Sequence, residues 1–131
     1  MTRTLRIVVA DDEIDIRDYF VKLLPRLGHV LVGLAANGRQ LVQLCEAEQP
    51  DLVITDVMMP EMDGFQAAEK IAESQTVPII IVSSHERHEF PDNASIVDYL
   101  VKPVSMADLE AAIDRAVPRS TFGGPRRKSQ I

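Results

Sequence analysis

The order of apolar and polar segments along the chain predicts an α/β fold, a doubly wound parallel sheet with helices on both faces. Three observations lead to this prediction: five short runs rich in branched apolar residues, amphipathic segments that alternate with them, and a length of 131 residues with 46% apolar content. Strands that alternate with helices are joined by right-handed crossovers, which give a parallel sheet. A chain of this length forms one domain rather than two.

The five predicted strands are short apolar runs of the length expected for buried parallel strands. Most are bounded by Gly, Pro, Asp or Ser, which are turn or helix-cap residues. In chain order the runs are LRIVVAD, HVLVGLA, DLVITD, VPIIIV and SIVDYLV. None approaches the roughly 20 apolar residues that a membrane-spanning helix needs, so no transmembrane segment is expected.

Helices are predicted between the strands from apolar residues spaced three and four apart. The first helix covers residues 14–27 and stops at Gly28, and a second begins near Gly38 after the N-cap Asn37 and stops before Pro50.

Two more helices are predicted in the second half of the chain. One covers residues 65–74, and the last covers 105–117 with Ser105 as its N-cap. The segment SHERHEFPDNAS has no apolar stripe, and Pro91 allows at most about two helical turns before it, so a helix there should be short or irregular. The residues of helix 65–74 that should face inward are Phe65, Ala68, Ile71 and Ala72.

The net charge of −6 is unevenly distributed. Residues 118–131 hold four basic and no acidic residues, so residues 1–117 carry ten bases and twenty acids, a net charge of −10. We expect 1–117 to form the domain and 118–131 a basic flexible tail or linker. A domain with this negative charge repels nucleic-acid phosphates and favours the binding of small cations. No secretion signal is recognisable at the N-terminus, so the expected location is the cytoplasm.

Polar side chains follow the carboxyl ends of four predicted strands. Asp11 and Asp12 follow the first strand, Asp56 the third, Ser83 the fourth and Lys102 the fifth. In doubly wound sheets these ends lie at one edge, where ligands bind. Three carboxylates gathered there repel each other unless a cation lies among them. Mg²⁺, or Mn²⁺ in its place, prefers hard oxygen ligands, so we predict a site built from these carboxylates and one main-chain carbonyl.

The same edge has the groups needed for phosphoryl transfer. An ionised aspartate needs no base to act as a nucleophile, and its product would be an acyl phosphate. Asp56 is the predicted nucleophile because its strand is central and its loop, VMMPEMDG, can offer backbone amides and the Met58 carbonyl as a metal ligand. The Lys102 ammonium and the Ser83 hydroxyl can stabilise charge on the phosphoryl oxygens.

The ordered set VVADDE, LVITDVMMPEMDG, IIIVSS and DYLVKP resembles the receiver domain of two-component response regulators over about residues 5–117. The resemblance implies a flavodoxin-like sheet with strand order 2-1-3-4-5. It also implies phosphorylation by a histidine kinase or phosphotransfer protein, with no turnover chemistry beyond the domain's own phosphorylation and dephosphorylation. The implied residues are Asp11 and Asp12 for metal, Asp56 as phosphoacceptor, Ser83 and Tyr99 as switch residues, and Lys102 followed by Pro103.

The resemblance also implies how the signal is passed on. Ser83 would move to bond the phosphoryl group and leave space into which Tyr99 rotates, which repacks the surface near the last two strands. Met58 and His85 flank the path of hydrolytic water in such domains. The chain would then act through an unidentified protein partner, as a monomer or a phosphorylation-linked dimer, without binding DNA or a membrane itself.

Three alternatives remain open at this point. A metal-dependent phosphatase of the haloacid-dehalogenase type also uses an aspartate nucleophile, but its D-x-D pattern after the first strand is missing here, where Asp11, Asp12 and Glu13 are contiguous. His85 and His88 have a spacing that can suit zinc on a helix, although no third ligand is identifiable. The basic tail could contact nucleic acid, membrane or an acidic partner, or be a solvated terminus or linker.

Overall fold

The computed structural model describes residues 3–85 and 93–118. Its strands are β1 Arg6–Ala10, β2 Val30–Ala35, β3 Leu52–Thr55, β4 Ile79–Ser83 and β5 Ile96–Val101. They form one sheet in the order β2-β1-β3-β4-β5, and every neighbouring pair is parallel. The predicted doubly wound sheet with order 2-1-3-4-5 is therefore confirmed.

Four helices lie within the described ranges: α1 Ile14–Arg26, α2 Gly38–Glu48, α3 Gly64–Ala72 and α4 Met106–Ala116. Two of the predicted N-caps are confirmed. The Asn37 side chain accepts the Gln40 amide at 2.9 Å, and the Ser105 hydroxyl accepts the Asp108 amide at 3.1 Å. These bonds satisfy amides that have no partner inside the helix, and so fix where α2 and α4 begin.

The helices cover both faces of the sheet and create two apolar cores. Alternate residues of each strand point to opposite faces, so Ile7 and Val9 of β1 join one core while Val8 joins the other. The first core lies under α1 and α4, and the second lies under α2 and α3. Strands buried on both faces are held rigidly, which fixes the position of the loops that follow them.

Helix α3 differs from its predicted form in its bounds, Gly64–Ala72 rather than 65–74, and in its buried face. Ala72 was expected to face inward but is exposed, and Ala67 is buried instead. The helix begins at Gly64, after a capping box formed by Asp63 and Gln66, and Gly64 packs directly against the Asp56 backbone, which turns the Gly64 side of α3 toward the sheet. Its buried stripe is Gly64, Ala67, Ala68 and Ile71, which leaves the last residue of the helix in solvent.

Some predictions fall on residues outside the described ranges. The short or irregular helix between β4 and β5 depends on residues 86–92, and the basic tail depends on residues 119–131. Both stay predictions, as does the domain boundary at residue 117. Within the two described ranges, no helix combines the length and apolar character that crossing a bilayer requires.

Cys45 provides a test of how well the second core is packed. Its side chain is fully buried in α2, and burial together with the charge of Glu46 raises the thiol pKa to about 12. We expect a thiol reagent at pH 8 to label native protein at least about 100-fold more slowly than unfolded protein. The reason is that the Cys45 thiol of the native protein is buried and very little of it is ionised. Cys45 is the only cysteine, so colorimetric labelling reports it alone. Equal labelling rates with and without guanidinium would contradict this packing.

Candidate functional site

The carboxyl ends of four strands meet at one edge of the sheet, as their parallel order requires. The backbone amide of Asp56 donates to the Ala10 carbonyl at 2.9 Å, which aligns the end of β3 with the end of β1. The backbone amide of Lys102 donates to the Ser83 carbonyl at 2.8 Å, which aligns the ends of β5 and β4. The predicted residues on these four strand ends are thus held by the sheet's own hydrogen bonds.

Three carboxylates gather at this edge. Asp11, Asp12 and Asp56 can each offer an oxygen such that all three oxygens lie within 4.8 Å of one another. Asp11 and Asp56 are buried, whereas Asp12 is exposed. Two fixed carboxylates and one solvated carboxylate are a donor set that suits a hard divalent cation which keeps part of its water shell. The residues present therefore fit Mg²⁺ or Mn²⁺. Met58 has an exposed side chain, and its carbonyl stays a predicted ligand.

The carboxyl group of Asp56 is nearly inaccessible, with 6% of the residue exposed. One of its oxygens, Oδ1, accepts the backbone amide of Val57 at 2.8 Å. Burial raises the pKa of Asp56 and the charge of Asp11 raises it further, while Lys102 and the Val57 amide only partly oppose this rise. Ionisation of Asp56 is consequently less favourable in the folded protein than in water.

Lys102 is the positive group of the site. Its ammonium lies 2.8 Å from Asp11 Oδ2, 3.1 Å from Glu13 Oε1 and 3.3 Å from Asp56 Oδ2. Burial lowers the pKa of Lys102, but the hydrogen bond to Asp11 and the charges of Asp56 and Asp11 outweigh it, so the pKa lies above its usual value. The Lys102 side chain therefore stays charged and lies between the three carboxylates. The peptide bond between Lys102 and Pro103 is cis.

Ser83 and Tyr99 are connected through the backbone of His85. The Ser83 hydroxyl is buried and accepts the His85 amide at 3.3 Å, and the Tyr99 hydroxyl donates to the His85 carbonyl at 3.0 Å. The two predicted switch residues thus share one contact residue, which is also one of the two predicted to flank the water path. The zinc alternative needs His88, which lies outside the described residues.

Two residues at this site received no role from the sequence. Glu13 contacts the Lys102 ammonium, although the two residues are 89 positions apart in the sequence. No local sequence pattern predicts such a contact. Gly64 packs so closely behind Asp56 that an added Cβ would lie 2.1 Å from the Asp56 carbonyl oxygen, so only glycine fits there. The Asp-Gly pair after the loop signalled a turn, which is the only sequence hint of that close approach.

The fold and this acidic edge define a class of protein. The family model described as response regulator receiver domain matches residues 7–114. The chain therefore belongs to the family of response regulator receiver domains, which act in two-component signalling.

Individual relatives agree with the family match. The transcriptional regulatory protein PdtaR of Mycobacterium tuberculosis is 39% identical over 117 residues, a match that covers 87% of this chain and 57% of the relative. A 14.6 kDa protein of Leptolyngbya boryana, encoded in the sodA1 3′ region, is 37% identical over 109 residues, covering 79% of this chain and 82% of the relative. The solved signal receiver domain of the putative response regulator NarL of M. tuberculosis aligns with a TM-score of 0.73 and 28% identity, covering 90% of this chain and all of that chain.

The chain spans about half the length of several curated relatives that it matches, 57% of one and 46% of two others. The matched domain is thus only part of those proteins, and the activities of the whole proteins are not assigned to this chain. The phosphatase alternative finds no support in these comparisons, because the matched family is the receiver family.

Proposed function

We propose that this chain is a phosphoacceptor module of a two-component or phosphorelay system, phosphorylated on Asp56 in a Mg²⁺-dependent reaction. The single observation that carries the proposal is the position of Asp56. Its buried carboxylate lies beside two further aspartates and 3.3 Å from a partly buried ammonium, at the end of the central strand of a receiver fold. The phosphoryl donor would be a histidine kinase or a histidine phosphotransfer protein, and the reaction would take place in the cytoplasm.

The transfer step follows from the groups present. An Asp56 oxygen forms the new P–O bond, the P–N bond to the donor histidine breaks, and the electron pair stays on the imidazole nitrogen. Asp11, Asp12, Asp56 and the Met58 carbonyl would hold a magnesium ion, which would supply positive charge to neutralise the phosphoryl oxygens. The Lys102 ammonium needs only a small displacement to bond a phosphoryl oxygen, because it already lies 3.3 Å from Asp56 Oδ2.

The switch step uses the His85 backbone. If Ser83 moves to bond the phosphoryl group, it releases the His85 amide, and the carbonyl of the same residue is the acceptor for the Tyr99 hydroxyl. A movement of Ser83 therefore disturbs the contact that holds Tyr99 at the β5 edge of the sheet. The changed β5 surface would be what a downstream protein recognises.

Further roles are proposed for residues beside the phosphorylation site and for the rest of the chain. Met58 and His85 are proposed to flank the approach of hydrolytic water and so to set the phosphoryl lifetime. Output is proposed to pass through a protein partner, with the chain a monomer or a phosphorylation-linked dimer. The acidic charge of residues 1–117 disfavours direct DNA binding by the domain. Residues 118–131 are proposed to be a tail or linker.

The experiment that tests the proposal is incubation of the full chain with acetyl phosphate and Mg²⁺, followed by intact mass measurement. We expect one added phosphoryl group that is lost in mild base, because acyl phosphates hydrolyse there, and that maps to the peptide containing Asp56. Omission of the metal or addition of EDTA should prevent its formation. Rapid hydrolysis of many phosphomonoesters without a stable adduct would instead indicate a phosphatase and overturn the proposal.

A further inference from the structure

The ammonium of Lys102 has three N–H donors and three carboxylate neighbours. Two of these neighbours, Asp11 and Asp56, belong to the trio that fits a divalent cation. The third, Glu13, lies outside that trio, and its Oε1 is 3.1 Å from the ammonium. The site therefore contains one carboxylate that contacts the lysine and is not needed by the metal.

Both oxygens of each shared aspartate already have a partner. Asp11 Oδ1 accepts the backbone amide of Glu13 at 2.9 Å, while its Oδ2 contacts Lys102. Asp56 Oδ1 accepts the amide of Val57, while its Oδ2 contacts Lys102. A dication that binds these aspartates shares the Oδ2 atoms with the ammonium and also repels it. We therefore expect Lys102 to make weaker contacts with Asp11 and Asp56 when the dication is bound.

Glu13 is placed to hold the lysine when this happens. It is the N-cap residue of α1, and its carbonyl accepts the amides of Ile16 at 3.2 Å and Arg17 at 3.1 Å, so its backbone is fixed. Its side chain makes no capping hydrogen bond. Residues preferred at this position are short and use their side chains to cap, whereas glutamate is not among them. The carboxylate is directed to Lys102 instead.

We propose that Glu13 is a positioning residue that retains the Lys102 ammonium over Asp56 when a divalent cation takes the two buried aspartates. This inference rests on the proposed function, because it assigns Lys102 a phosphoryl group to meet. The side chain of Glu13 is 63% exposed and that of Lys102 is 11% exposed, so Glu13 draws the ammonium toward the open side of the site. That is the side from which a phosphodonor approaches.

Three variants separate positioning from simple charge. Glu13→Asp keeps the negative charge but shortens the side chain by one methylene, so its carboxylate no longer lies at the 3.1 Å contact distance from Lys102. Glu13→Gln keeps the length and removes the charge. Asp15→Asn is the matched control, because it removes a charge from the first turn of the same helix, and Asp15 is not among the carboxylates that contact Lys102.

The first readout is NMR of ¹⁵N-labelled lysine in the full chain with saturating Mg²⁺ alone. A hydrogen-bonded ammonium exchanges its protons slowly, so we expect a Lys102 ammonium signal in the wild type and in Asp15→Asn. We expect this signal to vanish in Glu13→Asp and to weaken in Glu13→Gln, whose amide oxygen accepts a weaker hydrogen bond than a carboxylate. The absence of the signal in the wild type, or its survival in Glu13→Asp, would overturn the inference.

The second readout is the rate of phosphorylation at saturating Mg²⁺ and acetyl phosphate. Displacement of one catalytic group by about 1 Å can cost up to about 100-fold, and a lysine that loses one anchor should cost about tenfold. We expect this loss in Glu13→Asp and a loss no larger than this in Glu13→Gln, with Asp15→Asn at the wild-type rate. A wild-type rate in Glu13→Asp would mean that Glu13 acts only through its charge and not by holding Lys102 in place, and it would overturn the inference.

The two proposals fail in distinguishable ways. If wild-type protein forms no adduct with acetyl phosphate, the proposed function fails, while the ammonium signal with Mg²⁺ still decides the role of Glu13. If the adduct forms normally but both readouts are unchanged in Glu13→Asp, only the inference on Glu13 fails.

Discussion

Asp56→Asn is expected to accept no phosphoryl group from acetyl phosphate and, in metal-free buffer, to be more stable than the wild type. The first effect follows because an amide oxygen is not a nucleophile in this reaction. The second follows from burial. The pKa of Asp56 is raised on folding by burial and by Asp11, so the ionised group costs folding free energy at neutral pH. An amide of the same shape removes that cost, while Lys102 keeps its contacts with Asp11 and Glu13.

The expected gain in unfolding free energy is about 1 kcal/mol, the usual size of one stabilising substitution at a strained functional site. Urea unfolding followed by circular dichroism at pH 7 with EDTA measures it. Asp12→Asn is the matched control, because Asp12 is exposed and its charge is already solvated, so its stability should change by less than about 0.5 kcal/mol. Saturating Mg²⁺ should narrow the gap, because the wild type then gains binding free energy. A less stable Asp56→Asn would contradict this account of the cluster.

The edge of the sheet could be predicted because its causes are local. Each strand is a short apolar run, and β1, β3 and β5 are followed directly by Asp11, Asp56 and Lys102, so the positions of these side chains are fixed once the strands are parallel. The hydrogen bond from the Asp56 amide to the Ala10 carbonyl requires only that β1 and β3 be neighbours. Sequence patterning therefore predicts which side chains meet.

Other features depend on side-chain geometry that sequence patterning does not contain. The contact between Glu13 and Lys102 joins residues 89 positions apart and depends on how both long side chains extend. The link from Ser83 to Tyr99 runs through backbone groups of His85, which carry no sequence signal at all. The inward placement of Ala72 was wrong because the close approach of Gly64 to the Asp56 backbone sets which face of α3 meets the sheet, and the apolar pattern does not contain that contact.

Lys102→Met is expected to have opposite effects on phosphoryl transfer and on metal binding. Methionine keeps an unbranched side chain in the partly buried position but removes the ammonium. The loss of one charged donor to the transferring group should lower the rate of Asp56 phosphorylation at saturating Mg²⁺ by at least about 100-fold. Metal affinity should rise by about fivefold, the equivalent of about 1 kcal/mol, because the ammonium no longer competes for Asp11 Oδ2 and Asp56 Oδ2 or repels the dication.

The two halves of this prediction are measured separately, the rate by intact mass with acetyl phosphate and the affinity by calorimetric titration with Mg²⁺. Lys102→Arg is the control, because it keeps the charge: its metal affinity should stay near that of the wild type, while its larger planar head should slow transfer only partly. Weaker Mg²⁺ binding in Lys102→Met would mean that the lysine supports the metal site rather than competes with it. In that case the need for Glu13 as a separate anchor would also disappear, since Lys102 would never have to leave the two buried aspartates.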